Sequence, residues 1–224
     1  MELQKVSSFI RSYIADDAGL LGEIYSEAVE QQVPVIRKET RELLKTQLLL
    51  LKPKNLLEIG TAVGYSALYM SKWIDKDAHI TTIELSEERI AKAKKNILSM
   101  GKENQITVLA GDAADILPTL SDQTYDFIFV DAAKGQYIFY LPDVLRVSKP
   151  GALIFSDNIL QDGDVLESHF TVEKRNRTIH DRMRDYIYAL CNDKRIDTAV
   201  LSVADGVALS VRKRDMEESA NAKL

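Results

Sequence analysis

Two carboxylates and an amide follow strand-like segments of the sequence, and together they could bind a cation. Asp131 ends the segment YDFIFVD, and Asp157 and Asn158 end ALIFSDN. Because the carboxyl ends of parallel strands meet at one edge of a sheet, these side chains can converge. Two adjacent carboxylates repel unless a proton or a cation lies between them. With the amide oxygen they predict an oxygen-only site typical of Mg²⁺, and the alternative is a capping aspartate beside a turn-forming asparagine.

A glycine-containing loop after the first strand-like segment favours a nucleoside pocket without phosphates. In EIGTAVGYS, Gly60 and Gly64 lie four residues apart, but Ala62 replaces the second glycine of a dinucleotide motif. Glu84 follows Gly64 by 20 residues, at a position where a carboxylate can accept hydrogen bonds from ribose hydroxyls. S-adenosylmethionine is the common cofactor of this description, and we expect it here. The alternative interpretation of the glycine pair is a simple tight turn.

These residues are positioned by short strand-like segments that alternate with amphipathic helical ones after Pro53. Ser86–Met100 is a clear helix with Ser86 as its N-cap, and the predicted strands are Asn55–Ile59, His79–Glu84, Gln105–Leu109, Tyr125–Asp131 and Ala152–Asp157. Such alternation predicts right-handed βαβ units and a parallel sheet covered on both faces. All five strands end on or near an acid, namely Glu58, Glu84, Asp112, Asp131 and Asp157.

Both ends of the chain differ from this core. Three helical pieces precede it, with an extended connector at Val33–Ile36; they are the Val6 to Ile14 stripe, Leu20–Gln31 and Thr40–Leu51. Near the C-terminus, Asp205-Gly206 is a hairpin signal between the predicted strands Ile196–Val203 and Val207–Arg212. We therefore predict one α/β domain over 1–224, with helices in 1–52, a mostly parallel seven-stranded sheet with an antiparallel C-terminal strand in 53–213, and a polar tail in 214–224.

Composition is that of a single-domain, water-soluble protein. The chain has 224 residues, 46% of them hydrophobic, and no repeat or linker that would mark a second domain. A formal net charge of −5 gives no general attraction for nucleic acid. Cys191 is the only cysteine, which excludes an internal disulfide and a cysteine-rich metal site. No segment is typical of a signal sequence or a membrane span, so we expect a cytoplasmic protein.

The histidines and a basic cluster carry no clear motif. His79, His169 and His180 lack metal-ligand spacing and are interpreted as ordinary polar residues. The basic cluster is interleaved with acids, as in a solvated helix face, and comprises Lys174, Arg175, Arg177, Arg182 and Arg184. An apolar stripe between Ile179 and Leu190 would leave the arginines pointing outward.

Five motifs in a fixed order carry a family resemblance. They are EIGTAVGYSALYM, TIELSEERIAKAKKNI, GDAADILPTL, IFVDAAKGQY and FSDNIL. From about Val33 to the last strand, the chain resembles the cation-dependent O-methyltransferases that include the catechol and caffeoyl-CoA enzymes. This resemblance implies one Rossmann-like class I methyltransferase domain. Within the group, VPVIRKET and RNRTIHDRMRDY look most like the bacterial enzymes that methylate 5-hydroxyuridine of tRNA.

The resemblance also implies a role for individual residues. Metal ligands for Mg²⁺ or another divalent cation would be Asp131, Asp157 and Asn158. Lys134 matches the family's general base, although a solvated surface lysine is the alternative. Together with the strand-end Glu58, the residues expected to bind S-adenosylmethionine are Ile36, Gly60, Ser66, Glu84, Asp112, Ala113 and Asp131.

Two alanines bear on the expected acceptor. The family's small-molecule members carry a bulky aromatic between the aspartate and the lysine, whereas Ala132 and Ala133 are small and widen the pocket. We therefore expect the acceptor to be 5-hydroxyuridine at the wobble position of tRNA, methylated to 5-methoxyuridine. Its phosphates would then meet Arg175, Arg177, Arg182 and Arg184. The alternative acceptor is a catechol-like or other vicinal-diol small molecule.

Other function classes fit the motifs less well. A nicotinamide-dependent dehydrogenase would need the third glycine of its motif, and a non-catalytic cofactor-binding module would have no use for the two aspartates and the asparagine. The N-terminal helices lie outside the predicted sheet, where they could serve a homodimer.

Overall fold

The computed structural model describes residues 3–214, apart from the side chains of residues 3, 4 and 162. Its helices are α1 (Leu3–Ser12), α2 (Gly19–Glu30), α3 (Lys38–Leu51), α4 (Tyr65–Met70), α5 (Glu87–Ser99), α6 (Ala113–Ile116), α7 (Tyr137–Val147) and α8 (Arg177–Asn192). Short 3₁₀ helices span Leu117–Thr119, Lys134–Gln136 and Gln161–Leu166. Of the predicted polar tail, 214–224, all but Arg214 lies outside the described residues.

Seven strands form one sheet in the order β3-β2-β1-β4-β5-β7-β6. They are β1 (Asn55–Ile59), β2 (His79–Glu84), β3 (Ile106–Ala110), β4 (Tyr125–Val130), β5 (Ser148–Ser156), β6 (Ile196–Leu201) and β7 (Val207–Arg212). Strands β1 to β5 pair in parallel, and β7 lies antiparallel between β5 and β6. The predicted single α/β domain, with its mostly parallel sheet and antiparallel C-terminal strand, is confirmed.

Element boundaries agree with the predicted ones where local signals are strong. β1, β2 and β7 agree at both ends, and the Ser86 side chain accepts a hydrogen bond from the Arg89 N–H as the N-cap of α5. β5 begins at Ser148 instead of Ala152, because Ser148 pairs with Tyr125 before an irregularity shifts the register. Single-sequence periodicity does not contain this long-range pairing.

Helices cover both faces of the sheet. Side chains of α2, α3, α4 and α5 bury one face in a cluster that includes Leu44, Leu48, Phe127 and Phe155. Side chains of α6, α7 and α8 bury the other face with Ile128, Val130 and Ile154. Alternate residues of β4 therefore enter opposite clusters, as the period-two geometry of a strand requires. No helix among residues 3–214 is long and apolar enough to cross a membrane.

A buried ion pair fixes the N-terminal helices to the sheet core. The Arg41 guanidinium on α3 lies 2.6 Å from the Asp17 carboxylate and 3.0 Å from the Tyr65 hydroxyl at the start of α4. Both charged side chains are nearly inaccessible to solvent, at 3% and 8% exposure. Removal of either partner would leave the other charge buried with only a more distant counter-ion, Glu42 at 3.5 Å for Arg41 or Lys72 at 3.9 Å for Asp17, which makes the contact a strong determinant of helix position.

Glu58 is a carboxyl group enclosed in the middle of the sheet. It has no solvent exposure, and one of its oxygens accepts a hydrogen bond from the Thr82 hydroxyl on β2. Its other oxygen, Oε1, has no hydrogen-bond partner among the described residues. Burial disfavours the charged form and raises the pKa of Glu58 to about 7. Glu58 is therefore protonated in the folded chain at mildly acidic pH.

This burial predicts a pH-dependent stability that a single substitution removes. The pKa of Glu58 is raised from 4.5 in the unfolded chain to about 7, so its contribution to stability is present below pH 4.5 and is lost as the pH rises through 7. The shift corresponds to about 3 kcal/mol. Glu58→Gln mimics the protonated acid, so its stability relative to the parent chain should increase by up to about this amount between pH 4.5 and pH 8. Urea unfolding at several pH values measures the difference.

Glu103→Gln is the matched control, because Glu103 is exposed on the loop before β3. Its stability relative to the parent chain should stay constant over the same pH range. A flat difference for Glu58→Gln as well would contradict the assignment of a protonated Glu58.

Candidate active site

A cavity of about 880 Å³ opens beyond the carboxyl ends of the parallel strands. It lies where the strand order reverses between β1 and β4, the usual ligand position in an open α/β sheet. The connector before α3 closes one side of it. The cavity brings together most residues that the sequence predicts for cofactor binding, namely Ile36, Gly60, Ser66, Glu84, Asp112, Ala113 and Asp131.

Gly60 lets two strand ends approach each other at the floor of this cavity. Its φ angle is +104°, and a Cβ atom there would lie 2.0 Å from the carbonyl oxygen of Asp131. The amide N–H of Asp131 in turn donates to the Ile59 carbonyl at 3.0 Å. A side chain at position 60 would separate the β1 and β4 ends, so the loop geometry requires glycine.

Glu84 is held in place by backbone donors. Its Oε2 accepts from the Ala62 N–H at 2.8 Å, and its Oε1 accepts from the N–H groups of Leu85 and Ser86 at 3.1 and 3.0 Å. A carboxylate has about four acceptor positions, so one remains for a ligand. The carboxylate thus faces the cavity in a fixed orientation, with capacity for a hydroxyl donor.

The end of β3 supplies the far wall. Asp112 is the N-cap of α6, since its Oδ1 accepts from the Ala114 N–H at 2.9 Å. This bond occupies one carboxylate oxygen and fixes the side chain beside Ala113. At the opposite wall Ile36 is 2% exposed and supplies an apolar cover.

Glu58 is the exception among the predicted cofactor residues. It does not line the cavity, because its side chain points into the sheet interior toward Thr82. Glu58 therefore does not itself form the cavity wall, and its role in cofactor binding stays a prediction. The strand end that carries it is part of the site, but the period-two alternation of β1 places residue 58 inward.

Asp131, Asp157 and Asn158 converge at the ends of β4 and β5. The pairing of Val130 with Ser156 puts the two aspartates on adjacent strand ends, and the Asp157 N–H donates to the Val130 carbonyl at 3.0 Å. The Asn158 amide lies 3.1 Å from Asp131 Oδ1, with Asn158 at φ 58°. Asp131 and Asn158 line the cavity, whereas Asp157 lies behind them at 1% exposure.

Burial dominates the electrostatics of these carboxylates. It raises the pKa of Asp131 to about 6, against the opposing hydrogen bond from Asn158 and the charge of Lys134. Burial also raises the pKa of Asp157 well above its ordinary value, and the neighbouring Asp131 raises it further. Two carboxylates in this position disfavour joint ionisation without a compensating cation. The donor set of two carboxylates and an amide oxygen fits a hard divalent cation.

Surrounding groups hold this strand end rigid. The Tyr137 hydroxyl lies 3.2 Å from the Asp157 carbonyl and accepts from the Ala132 N–H at 3.2 Å. Asp157 Oδ1 accepts from the Asn158 N–H at 2.7 Å. These bonds fix both aspartates before any ligand arrives. This pre-organisation lowers the entropic cost of binding a ligand there.

Lys134 also lines the cavity, and its partner was not foreseen. The Lys134 Nζ lies 2.9 Å from Asp205 Oδ2, and the Asp205 side chain is only 2% exposed. Sequence analysis assigns Asp205-Gly206 to a hairpin turn, which is correct for Gly206 at φ 82°. The aspartate additionally reaches across to the lysine. Nothing in the local pattern signals this contact, because 71 residues separate the two side chains.

A second recess of about 670 Å³ adjoins the first at Lys134. Its wall includes Gln161 from the loop after β5 and Arg182 from α8. Gln161 is 8% exposed, and its buried Oε1 has no hydrogen-bond partner among the described residues. A buried acceptor without a partner is costly, so this oxygen would favour a donor group that could reach it. The sequence analysis does not identify Gln161.

The arginines of the basic cluster point outward only in part. Arg177 and Arg182 are half-buried and donate to the backbone carbonyls of Val172 and Gly135, each at 3.2 Å. Arg184 is exposed but lies 3.4 Å from the Val165 carbonyl, and Arg175 pairs with Glu173 at 2.7 Å. The expected fully solvated face is therefore wrong for Arg177 and Arg182, because their guanidinium groups tie adjacent loops to α8.

Comparisons with known proteins agree with this geometry. The O-methyltransferase family model matches residues 11–213. A catechol O-methyltransferase of Niastella koreensis is 34% identical over 90% of this chain and 95% of its own length. Caffeoyl-CoA O-methyltransferase 2 of Populus trichocarpa is 31% identical over 90% of this chain and 91% of its own.

A solved structure shares both the fold and part of the sequence. The Podospora anserina methyltransferase PaMTH1, crystallised with S-adenosylhomocysteine (SAH), superposes with a TM-score of 0.81 at 26% identity, covering 95% of each chain. The chain therefore belongs to the O-methyltransferase family, and the prediction of an S-adenosylmethionine-dependent O-methyltransferase is confirmed.

Proposed function

We propose that this O-methyltransferase methylates a hydroxyl on a flat ring that carries two adjacent oxygens, with a divalent cation, Mg²⁺, at Asp131, Asp157 and Asn158. The observation that carries the proposal is the convergence of two buried carboxylates and an amide beside Lys134 at one cavity. A catechol-like small molecule is the first acceptor candidate, because the relatives described above are named as catechol and caffeoyl-CoA O-methyltransferases.

The larger cavity would hold S-adenosylmethionine, which supplies an electrophilic methyl group when bound. Glu84 would accept a hydrogen bond from a ribose hydroxyl at its free acceptor position. Asp112 and Ala113 would flank the base. Gly60 and Ser66 line the side nearer to Asp131, which suits the methionine portion. Ile36 would cover the cofactor and exclude water from it. Orientation of the two reactants is the main contribution expected from these contacts.

Asp131, Asp157 and Asn158 would hold the cation. Mg²⁺, when bound, supplies charge that offsets the paired carboxylates and favours an ionised acceptor oxygen near neutral pH. In this arrangement the Asn158 amide must turn its oxygen toward the cation and give up its contact with Asp131. The octahedral preference of Mg²⁺ leaves about three positions for water and acceptor oxygens.

Lys134 is the proposed proton acceptor. Its Nζ takes the acceptor hydroxyl proton only in the neutral amine form, and the Asp205 carboxylate orients that nitrogen at 2.9 Å. The Lys134 side chain is 28% exposed and that of Asp205 2%, so the contact restrains the lysine Nζ without burying it. Asp205 is thus a positioning residue for Lys134.

5-Hydroxyuridine in tRNA is the second acceptor candidate. The adjoining recess behind Ala133 favours it, because it extends the acceptor space beyond the length of a single ring. The arginine cluster adds little support, since Arg177 and Arg182 are engaged with backbone carbonyls and only Arg175 and Arg184 are exposed.

The homodimer and the cytoplasmic location remain predictions. Helix α1 exposes an apolar surface, with Phe9 at 64%, Ile10 at 45% and Tyr13 at 76% exposure. A second copy of the chain would bury this apolar surface and remove it from water.

A comparison of acceptors in parallel assays tests the proposal directly. Labelled S-adenosylmethionine and Mg²⁺ are incubated in parallel with a catechol, with the matching monophenol, and with tRNA that contains 5-hydroxyuridine. We expect label in the catechol but not in the monophenol, because only adjacent oxygens occupy two cation positions. EDTA should abolish the transfer, and added Mg²⁺ should restore it.

Label in the tRNA and in neither phenol would select the second candidate and reject the first. Equal labelling of catechol and monophenol, or full activity in chelator, would contradict the cation proposal itself. Arg184→Glu should reduce methylation of tRNA but leave that of catechol unchanged, since only the tRNA carries phosphates for this exposed arginine.

A separate prediction concerns the cofactor. Glu84→Gln replaces one carboxylate oxygen by an amide nitrogen, which cannot accept from the backbone donors and a ribose hydroxyl. The loss of about 1.5–3 kcal/mol corresponds to roughly 10- to 150-fold weaker binding. Calorimetric titration with S-adenosylhomocysteine measures it, and Glu88→Gln on the exposed side of α5 is the control. Unchanged affinity in Glu84→Gln would place the ribose elsewhere.

A further inference from the structure

Two histidines and an aspartate meet at the start of α8, away from the cavity lining. His169 Nδ1 lies 2.8 Å from Asp181 Oδ1, and His180 Nδ1 lies 2.9 Å from the same oxygen. The three candidate ligand atoms are all within 4.8 Å of one another. Sequence spacing hides this cluster, because His169 lies in the loop before α8 and His180 in its first turn. The interpretation of both as ordinary polar residues therefore needs revision.

The hydrogen bonds of His180 determine where its ring proton lies. Its Nε2 is 3.2 Å from the Glu167 backbone carbonyl, which can only accept, so Nε2 carries the proton. In the neutral ring Nδ1 is then a bare lone pair, and it faces Asp181 Oδ1 at 2.9 Å. Two lone pairs at this distance repel unless a positive charge lies between or beside them. A proton on His180, a proton on Asp181 or a metal ion would each relieve this repulsion.

Several features match metal ligation better than a simple charge pair. A ligating histidine usually donates its other N–H to a carbonyl or carboxylate, as His180 does to Glu167. The His180 side chain is 2% exposed and the His169 side chain 42%, so the cluster is open to water on one side only.

We propose that His169, His180 and Asp181 form a second metal site, one that takes Zn²⁺. Two imidazole nitrogens and one carboxylate oxygen suit borderline Zn²⁺, whereas Mg²⁺ prefers oxygen ligands alone. Ligand atoms of a tetrahedral zinc site are about 3.3 Å apart, so the present separations of 2.8 and 2.9 Å need to widen by about half an ångström. Water completes the coordination at the exposed side.

The position of this site suggests what zinc does. The site connects the loop at His169 to α8. Helix α8 also carries Ile179 and Arg182, which line the recess next to Lys134. Arg182 also holds the Gly135 carbonyl at 3.2 Å. Zinc would therefore brace the wall of the acceptor recess without contacting the reacting groups. This inference does not depend on which acceptor the enzyme uses.

Zinc titration of three proteins tests the proposal. The parent chain, His169→Ala and His79→Ala are titrated with Zn²⁺ in excess Mg²⁺ by calorimetry, and their melting temperatures are compared with and without zinc. His79 is the matched control, because it is the one remaining histidine and lies on β2 against Thr107. Any zinc at the oxygen-ligand site is common to all three proteins and cancels in the comparison.

We expect the parent chain and His79→Ala to share a zinc-binding event that His169→Ala loses, together with its rise in melting temperature. His169 is partly exposed, so its removal should leave the fold intact, and circular dichroism checks this. X-ray absorption at the zinc edge should show two nitrogen ligands. Identical zinc binding in all three proteins, or a doubly protonated His180 in nitrogen NMR spectra at saturating zinc, would overturn the proposal.

Discussion

The repulsion between two buried carboxylates is the constraint on which the rest of the site depends. The β4–β5 register places Asp131 and Asp157 on neighbouring strand ends, and burial raises the pKa of both. The surrounding residues reduce this cost without removing it, through the Asn158 amide on Asp131 and the Asn158 N–H on Asp157. The proposed cation would supply the positive charge that two such groups in the interior need.

The cavity is a consequence of the same strand ends. Gly60 allows β1 to come against Asp131, and the reversal of strand order between β1 and β4 opens the space beyond them. Glu84 at the next strand is held by three backbone donors and so presents a fixed carboxylate. The proposed cofactor and cation sites would thus share Asp131 as their boundary. In-line methyl transfer to a cation-oriented oxygen would require this closeness.

Sequence patterns predict the sheet and its strand-end acids because both depend on local rules. The alternating periodicity predicts both ends of β1 and of β2 correctly. The parallel topology then places Asp131 and Asp157 at the same edge of the sheet. The inward direction of Glu58 follows from the same alternation, but residue 58 lies so near the strand end that we expected its side chain at the cofactor site. The core residue Glu58 and the glycine loop that begins at Gly60 are only two residues apart.

The remaining site residues depend on contacts that no local pattern encodes. Asp205 reaches Lys134 across 71 residues, and its turn motif explains only the neighbouring glycine. Gln161 lines the second recess at the start of the 3₁₀ helix after β5, where its φ of 51° is set by tertiary packing. His169 and His180 come together because the loop before α8 folds back on the first turn of that helix. Such pairings become visible only once the chain has folded.

A divalent cation bound by Asp131, Asp157 and Asn158 at the edge of the cavity can be located directly in a crystal. Mn²⁺ is a Mg²⁺ substitute that scatters X-rays anomalously, so a crystal grown with Mn²⁺ and S-adenosylhomocysteine locates the cation without reference to activity. We expect an anomalous peak within coordination distance of oxygens from all three residues, with the Asn158 amide turned toward the metal. An ordered S-adenosylhomocysteine with no peak there, and with Asn158 still donating to Asp131, would contradict it.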